Sequence, residues 1–263
     1  MSGRSRVCVL QVPPFEPDRL LGGAEVVAVH LVRALAERME VTVVHGQPAE
    51  AANRIRCHPQ FPARVLAGFP FDDHVRDEGH IRPRLTQPAH AALTAADVVV
   101  TVERTLNIPV TGRRVSCLGG VGYPHTLDVL RHRAWDRLVV PSEYVAAQVA
   151  ERAPDAHGVT VVENGIDMSV FTPSPRPRRA GRPVRLLVAG RPSWDKGAER
   201  AVGVARALQQ SGTAARLTCV DQPGGFGPVD FSSRLRAQAV GVDLEILPWQ
   251  PHPHMPAYTA RRT

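Results

Sequence analysis

Residues 7–44 read VCVLQVPPFEPDRLLGGAEVVAVHLVRALAERMEVTVV, and this stretch indicates the architecture of the chain. Val7–Val12 is a short apolar run of the kind that forms a buried strand. A proline-rich loop then leads to Gly22-Gly23, which opens a predicted helix that ends near Arg38. Val41–Val44 is a second apolar run. A strand, a glycine loop, a helix and a strand in this order predict a parallel sheet with a right-handed crossover.

The same alternation of short apolar runs and amphipathic segments continues along the chain. Helices are predicted from Ser142, a good N-cap, to about Arg152, and from Gly197 to Gln210. Residues 46–96 contain six well-spread prolines, so loops and short helices are predicted there. The fold class is therefore α/β. Further buried strands are predicted at Ala96–Val102, Arg114–Leu118, Arg137–Val140, Val159–Val162, Val184–Ala189, Arg216–Val220 and Leu244–Leu247.

A proline- and arginine-rich segment divides this pattern in two. Residues 172–183 read TPSPRPRRAGRP, a composition typical of an extended, solvated linker. The alternation of strand and helix restarts after it. We therefore predict a first α/β domain at residues 1–171, a linker at 172–183 and a second α/β domain at 184–263.

The charge of the chain does not indicate a nucleic-acid partner. The net charge is +7, but Lys196 is the only lysine among the 32 basic Lys and Arg residues, a skew that indicates GC-rich coding. One arginine cluster, Arg176–Arg185, lies mostly in the predicted linker and has no interleaved aromatic residues for base stacking. We therefore expect no nucleic acid among the partners, while the oligomeric state is left open.

Cellular location and redox state follow from what the sequence lacks. No apolar run reaches the roughly 18 to 20 residues that span a bilayer, and Val7–Val12 is too short for a secretory signal. The expected location is therefore the cytoplasm. The four cysteines form no C-x-x-C pair, which favours buried reduced thiols over a zinc or dithiol site.

Two loops between a strand and a helix are candidates for anion binding. Gly22-Gly23 allows a ligand to approach the backbone closely, and a helix N-terminus offers its N–H groups. Alone, such a glycine pair is usually a tight turn. In Gly190–Gly197, GRPSWDKG, the cations Arg191 and Lys196 flank a helix N-terminus, where positive charge is unfavourable. An anionic ligand explains this placement, and a solvated basic loop is the alternative.

These loops belong to a set of four motifs that occur in register. The others are Asp136 with the segment Pro141–Tyr144, and the stretch Asn164–Pro173, N-G-I-D-x-x-x-F-x-P. With GGAE at 22–25 and G-R-x-x-x-x-K-G at Gly190–Gly197, the chain resembles the retaining nucleotide-sugar glycosyltransferases of the GT-B fold, family 4. The resemblance implies two Rossmann-like domains that face each other across a cleft, with the donor held mainly by the second.

The resemblance also implies roles for individual residues. Arg191 and Lys196 correspond to the pair that neutralises the donor diphosphate, and Gly22-Gly23 corresponds to the loop that closes on the phosphates. The segment with Asn164, Gly165 and Asp167 corresponds to the entry into the hinge. Two fixed cations and a helix N-terminus can stabilise the leaving diphosphate without a metal. The absence of a D-x-D motif agrees with this, so no metal and no cofactor beyond the co-substrate are expected.

The chain departs from the family pattern at two places. The motif of two glutamates that holds the donor sugar is absent before Thr263, so the second domain is expected to be incomplete. A histidine that often follows the strand equivalent to Ala96–Val102 is also absent, since Glu103 stands there. His125, which we place in a loop, and Glu25, in the first turn after Gly22-Gly23, are further candidates for the cleft.

The predicted function is sugar transfer from a nucleoside-diphosphate sugar with retention of configuration. The expected donor is a UDP-hexose or a UDP-N-acetylhexosamine. The acceptor is unidentified, and a natural-product precursor, a carrier-bound small molecule or a lipid each fit. The alternative is a non-catalytic binding or scaffold protein that derives from such an enzyme, which the missing glutamates favour and the intact Arg191 and Lys196 loop opposes.

Overall fold

A computed structural model describes residues 4–17, 20, 22–47, 61–71, 79–82, 84–172, 182–190, 196–221 and 231–248. The chain divides into two compact units, Met1–Gly165 and Ile166–Thr263. Most of the predicted linker, residues 173–181, lies outside the described residues. The predicted domain bounds therefore stay a prediction.

A parallel sheet of seven strands organises the first unit. Its spatial order is β3-β2-β1-β5-β7-β8-β9, and every neighbouring pair is parallel. Two short strands, β4 and β6, form a separate parallel pair. The strands are β1 (Arg6–Gln11), β2 (Glu40–Gln47), β3 (Arg64–Pro70), β4 (His80–Ile81), β5 (Val98–Val102), β6 (Thr105–Leu106), β7 (Arg113–Cys117), β8 (Arg137–Val140) and β9 (Val159–Val161).

Helices cover both faces of this sheet. Successive side chains of β1 point to opposite faces, as the period of a strand requires. Val9 packs in a cluster with Val29 of α1, whereas Leu10 packs in a second cluster with Leu93 of α2. A third cluster joins β8 to α3 and α4 around the buried Trp135. The helices are α1 (Gly23–Ala36), α2 (Gln87–Ala95), α3 (Pro124–His132) and α4 (Glu143–Arg152).

The second unit repeats the arrangement on a smaller scale. Its sheet has the order β10-β11-β12 and is again parallel. Leu217 of the central strand, Val202 of α5 and Leu235 of α6 share one buried cluster. No helix among the described residues is long and apolar enough to cross a membrane. The elements are β10 (Val184–Val188), α5 (Ala198–Gln210), β11 (Ala215–Val220), α6 (Phe231–Gln238) and β12 (Asp243–Leu247).

Most predicted elements lie within two residues of the observed ones, but the interpretation of residues 46–96 was wrong in one respect. That region contains two strands, the seven-residue β3 and the two-residue β4, in addition to a short helix. Pro70 is the last residue of β3, and β3 lies at the edge of the sheet. Proline is tolerated at an edge strand because no neighbour needs its missing N–H group. Pro62 and Pro70 therefore delimit β3 and do not break it.

Three of the four cysteines lie among the described residues and are free thiols, whereas Cys57 lies outside the described residues. Cys8 and Cys219 are buried and unpaired, and Cys117 is half-buried. Burial raises the pKa of the Cys8 thiol to about 12 and that of the Cys219 thiol to about 11. A thiol with such a pKa carries almost no thiolate near neutral pH, so these groups act as small apolar side chains.

Candidate active site

The order of the strands defines where a ligand is expected in the first unit. The chain runs from β1 outwards to β3 on one side and from β5 outwards to β9 on the other. In a parallel sheet of this kind, ligands bind beyond the carboxyl ends of the strands at the point where the order reverses. Gln11 ends β1 and pairs with Val102, the last residue of β5, so residues that follow these two positions surround the reversal point.

The glycine pair lies at the beginning of α1. Gly22 is the extended N-cap, and its N–H donates to Oε2 of Glu25 at 2.9 Å. A Cβ added to Gly23 would meet no atom within 4 Å, and one added to Gly22 would meet only Glu25 Oε2 at 4.0 Å. Neither a positive φ nor packing therefore demands glycine at these positions. Open space beside two glycines at a helix N-terminus suits close approach of an anion.

Glu103 follows β5 directly and has a rare backbone conformation. Its φ is 59°, in the left-handed region that residues other than glycine seldom adopt. Its own N–H donates to the carbonyl of Cys117 at 2.8 Å, and its Oε1 accepts from the N–H of Gly119. A Cβ at Gly119 would lie 2.8 Å from Glu103 Oε1, so a larger residue there would require the carboxylate to shift.

His125 lies next to this carboxylate. Its Nε2 is 3.8 Å from Oε2 of Glu103, and both side chains are largely buried, with 22% and 17% of their surface exposed. The prediction that His125 lies in a loop was wrong, because it is in the first turn of α3. Pro124, whose fixed φ suits a first helical position, begins that helix. The imidazole stacks on the ring of Tyr123, with centroids 5.4 Å apart.

The segment around β4 fixes the beginning of α3. Oδ2 of Asp128 accepts from the N–H groups of Gly79 and His80 at 3.0 and 2.8 Å. A Cβ at Gly79 would lie 1.8 Å from the carbonyl oxygen of His125, so only glycine fits there. His80 in turn stacks on His132 with centroids 4.0 Å apart.

The surroundings of His80, and above all its burial, disfavour protonation of the ring. Its Nδ1 is 2.8 Å from Oγ1 of Thr105. Burial and the neighbouring His132 lower the pKa of His80 below its usual value of 6.5, partly opposed by Asp128. The stacked pair therefore favours a neutral His80 ring.

The candidate cation of the second unit, Lys196, lies two residues before α5 and directly before its N-cap, Gly197. The stem of Lys196 lies against Gly190, where an added Cβ would be 3.5 Å from the Lys196 Cβ. Gly197, the N-cap of α5, has a φ of 76°, which favours glycine. Lys196 thus lies where the loop after β10 enters a helix, as predicted, whereas Arg191 lies outside the described residues.

The third predicted segment forms a turn. Oδ1 of Asp167 accepts from the N–H and the hydroxyl of Ser169 at 2.9 and 2.6 Å. Asn164 and Gly165 are exposed, and the division between the two units falls directly after Gly165. Asp167 therefore has a local structural role, and the hinge role of this segment stays a prediction.

Two buried amides lie at the same edge of the sheet. The Oε1 atoms of Gln11 and Gln47 are buried and have no hydrogen-bond partner among the residues that the structure describes. They belong to the last residues of the neighbouring strands β1 and β2. Buried polar atoms normally have a partner, so bound water or a ligand group is expected at this edge. Within the described ranges, no three His, Cys, Asp or Glu side chains are grouped to hold a metal.

Comparison with known proteins gives the class of the chain. The family model of Glycosyltransferase Family 4 matches residues 21–170, more than half of the chain. This match includes the Gly22-Gly23 loop, Glu103 and His125. The chain belongs to this family and is a glycosyltransferase. No curated protein matches it.

Solved structures show the same fold at low sequence identity. The lipopolysaccharide outer core galactosyltransferase WaaB, in its apo form, has a TM-score of 0.61 and 13% identity over 98% of this chain and 72% of that chain. A glycosyltransferase from Rickettsia africae has a TM-score of 0.60 and 12% identity over 98% and 71%. The apo structure of OtsA has a TM-score of 0.58 and 12% identity over 95% and 75%. The fold is therefore GT-B.

Sequence reasoning missed the pairing of Glu103 with His125. The two residues are 22 positions apart, and nothing in their spacing predicts contact. One signal was available in the sequence, namely that Glu103 is a charged residue directly after a strand at the reversal point. A residue in that position faces the edge of the sheet where ligands bind.

Proposed function

We propose that the chain transfers a sugar from a nucleoside-diphosphate sugar to an acceptor, with retention of configuration and without a metal. The expected donor is a UDP-hexose or a UDP-N-acetylhexosamine. The expected acceptor is a small natural-product precursor, free or carrier-bound, or a lipid. Membership of a glycosyltransferase family supports transfer itself over a purely non-catalytic scaffold.

The observation that carries this proposal is the position of Lys196. It is the only lysine of the chain, and it lies against Gly190 directly before the N-terminus of α5. Its ammonium and the helix N–H groups can act together on a diphosphate. As the bond between sugar and phosphate breaks, negative charge grows on the leaving nucleoside diphosphate, and fixed positive charge stabilises it.

The family resemblance also assigns donor-diphosphate binding to Arg191, Gly22 and Gly23. Arg191 is assigned on the resemblance of G-R-x-x-x-x-K-G to the family motif. The glycine pair is supported by the open space beside both residues. Asn164, Gly165 and Asp167 are proposed as the hinge segment, and Glu25 as the carboxylate that orders Gly22.

The test is donor binding by the full chain and by Lys196→Ala. UDP-glucose and UDP-N-acetylglucosamine are titrated by calorimetry, and products with an acceptor panel are read by mass spectrometry. Loss of one charge-assisted contact costs about 2 kcal/mol, which is roughly 30-fold in Kd. The matched control is Arg236→Ala, which removes an exposed charge in the last turn of α6. Equal binding by wild type and Lys196→Ala contradicts the assigned role.

A further inference from the structure

We propose that two copies of this chain pair edge to edge through β9, the last strand of the seven-stranded sheet, and form a symmetric dimer. The partner that fits this edge is therefore a second copy of the chain. The inference goes beyond the proposed function and does not depend on it. It follows from the backbone groups of β9, from the sequence around Thr160 and from a groove between β9 and α4.

One side of β9 offers backbone groups to a further strand. The carbonyl of Gly158 accepts from β8 at 3.0 Å, and the N–H of Val162 donates to β8 at 2.9 Å. Because alternate residues of a strand bond to the same neighbour, the N–H and C=O groups of Val159 and Val161 turn away from β8. No strand among the described residues pairs with that side of β9.

The beginning of β9 is fixed by its surroundings. The guanidinium of Arg133 donates to the carboxylate of Asp155, and the Nε1–H of Trp135 donates to the carbonyl of His157 at 3.1 Å. Gly158 has a φ of 65°, a conformation that favours glycine. A strand that is already ordered before association loses little conformational entropy when it pairs.

The sequence on either side of Thr160 is complementary to itself. In an antiparallel pair of two β9 strands centred on Thr160, Val159 of one copy lies opposite Val161 of the other. Each of these two valine pairs exchanges two backbone hydrogen bonds. The exposed His157 of one copy lies opposite the exposed Glu163 of the other, and an imidazole N–H can donate to a carboxylate. The same pairing occurs at both ends.

Other registers lack this complementarity. The outward backbone groups of the two strands meet only when the register shifts by an even number of residues. A shift of two residues places Glu163 opposite Asp155 in one direction, which brings like charges together, and opposite Val159 in the other. The sequence therefore favours one register with a two-fold axis at Thr160. Pairing about such an axis closes after two copies.

A groove beside β9 can accommodate the helix of the second copy. Its volume is about 570 Å³, and its lining includes Ala146 and Ala150 of α4 with Val159 and Val161 of β9. α4 packs on both β8 and β9. With strands about 4.8 Å apart, the two α4 helices lie on the same face at about 10 Å from each other. Packed helices have similar distances, and the alanines leave room for this approach.

The pairing leaves the carboxyl ends of the strands open. The two sheets run antiparallel across the axis, so the carboxyl ends of β1 and β5 lie at opposite edges of the joined sheet. Loss of the dimer should therefore leave donor binding unchanged.

Sedimentation velocity of the full chain measures the dimer directly. Between about 1 and 100 μM, the mass should rise from 28.6 kDa towards twice that value. Val161→Pro removes an outward N–H that β8 does not use, and proline is tolerated in an edge strand. Each dimer then loses two hydrogen bonds, so its Kd should rise at least about 30-fold.

A second variant adds charge and leaves the backbone intact. Thr160 is exposed, and Thr160→Lys places two like charges opposite each other across the axis. The dimer Kd should rise about 3-fold or more. Ala91→Lys, which adds the same charge at an exposed residue of α2, is the matched control and should leave the Kd unchanged.

Cross-linking tests the register. Antiparallel partners that do not exchange hydrogen bonds have Cα atoms about 4.5 Å apart, which is within the range of a disulfide. Thr160→Cys should therefore form a disulfide-linked dimer under mild oxidation at least about 10-fold faster than Ala91→Cys.

Three results overturn the inference. One is a mass of 28.6 kDa throughout the concentration range. The others are a dimer that persists unchanged in both Val161→Pro and Thr160→Lys, and equal cross-linking of Thr160→Cys and Ala91→Cys. None of these variants alters a residue of the proposed donor site, so the proposed function is tested separately by calorimetric titration of UDP-glucose.

Discussion

Replacing Gly23 by alanine should stabilise the protein and impair it at the same time. Gly23 is the first residue of α1, its φ is not positive, and an added Cβ would meet no atom within 4 Å. Alanine is favoured over glycine in a helix by roughly 0.5–1 kcal/mol. At this terminal position we expect the lower value, which corresponds to about 1–2 °C in the melting temperature.

The activity of Gly23→Ala should change in the opposite direction. The methyl group would occupy the space in which the donor phosphate is proposed to contact the helix N–H groups. Loss of one such charge-assisted hydrogen bond costs about 1.5–3 kcal/mol, so we expect donor Kd to rise roughly 10- to 100-fold. The assays are thermal unfolding and calorimetric titration of UDP-glucose.

A second glycine supplies the matched control for this experiment. Gly203 lies exposed within α5, and an added Cβ would also meet no atom within 4 Å. Gly203→Ala should therefore stabilise the protein by about 1 kcal/mol and leave donor binding unchanged. If Gly23→Ala behaves like Gly203→Ala in both assays, the glycine loop does not contact the donor and the proposed role of Gly23 is wrong.

Two further predictions concern stability. Ser142→Ala should lower the free energy of unfolding by about 1 kcal/mol, because the Ser142 hydroxyl accepts from the N–H of Val145 at 3.3 Å. Urea titration measures this loss, and Ser233→Ala, which changes a serine within α6, is the control. The pKa of His80 is lower in the folded chain than in the unfolded chain, so near and below pH 6.5 the unfolded chain binds more protons. The free energy of unfolding should therefore fall as the pH drops below about 6.5. His80→Gln should weaken this pH dependence in urea titrations at pH 7.5 and 5.5, and an unchanged slope would contradict it.

Local patterns predicted the main sheet well because each strand carries its own signal. β1, β5 and β8 are short apolar runs that are buried on both faces, and such runs are readable one at a time. The edge strand β3 was missed because prolines surround it, and α3 was missed because Pro124 begins it after a glycine-rich loop. In both cases the proline is compatible with the strand or helix that contains it, although the frequent prolines in the sequence predict an interruption of regular structure there.

Candidate site residues were predictable from the sequence only where one loop between a strand and a helix contains all of the residues concerned. Gly22-Gly23 and Lys196 lie where the sequence placed them, each between a strand and a helix. The contact between Glu103 and His125 depends on a left-handed residue directly after β5 and on the first turn of α3, which follows β7. Neither the tertiary contact nor the backbone conformation is encoded in a local spacing, so only the three-dimensional structure reveals the pair.

The junction between Gly79 and α3 has a consequence for protein engineering. Any residue larger than glycine at position 79 would force its segment away from the His125 carbonyl, and Asp128 fixes the same junction from the helix side. A chimaera that imports the segment around β4 from a related enzyme must therefore import α3 with it, as one cassette. Grafting either piece alone would disturb the contact between this segment and the beginning of α3, and with it the position of His125.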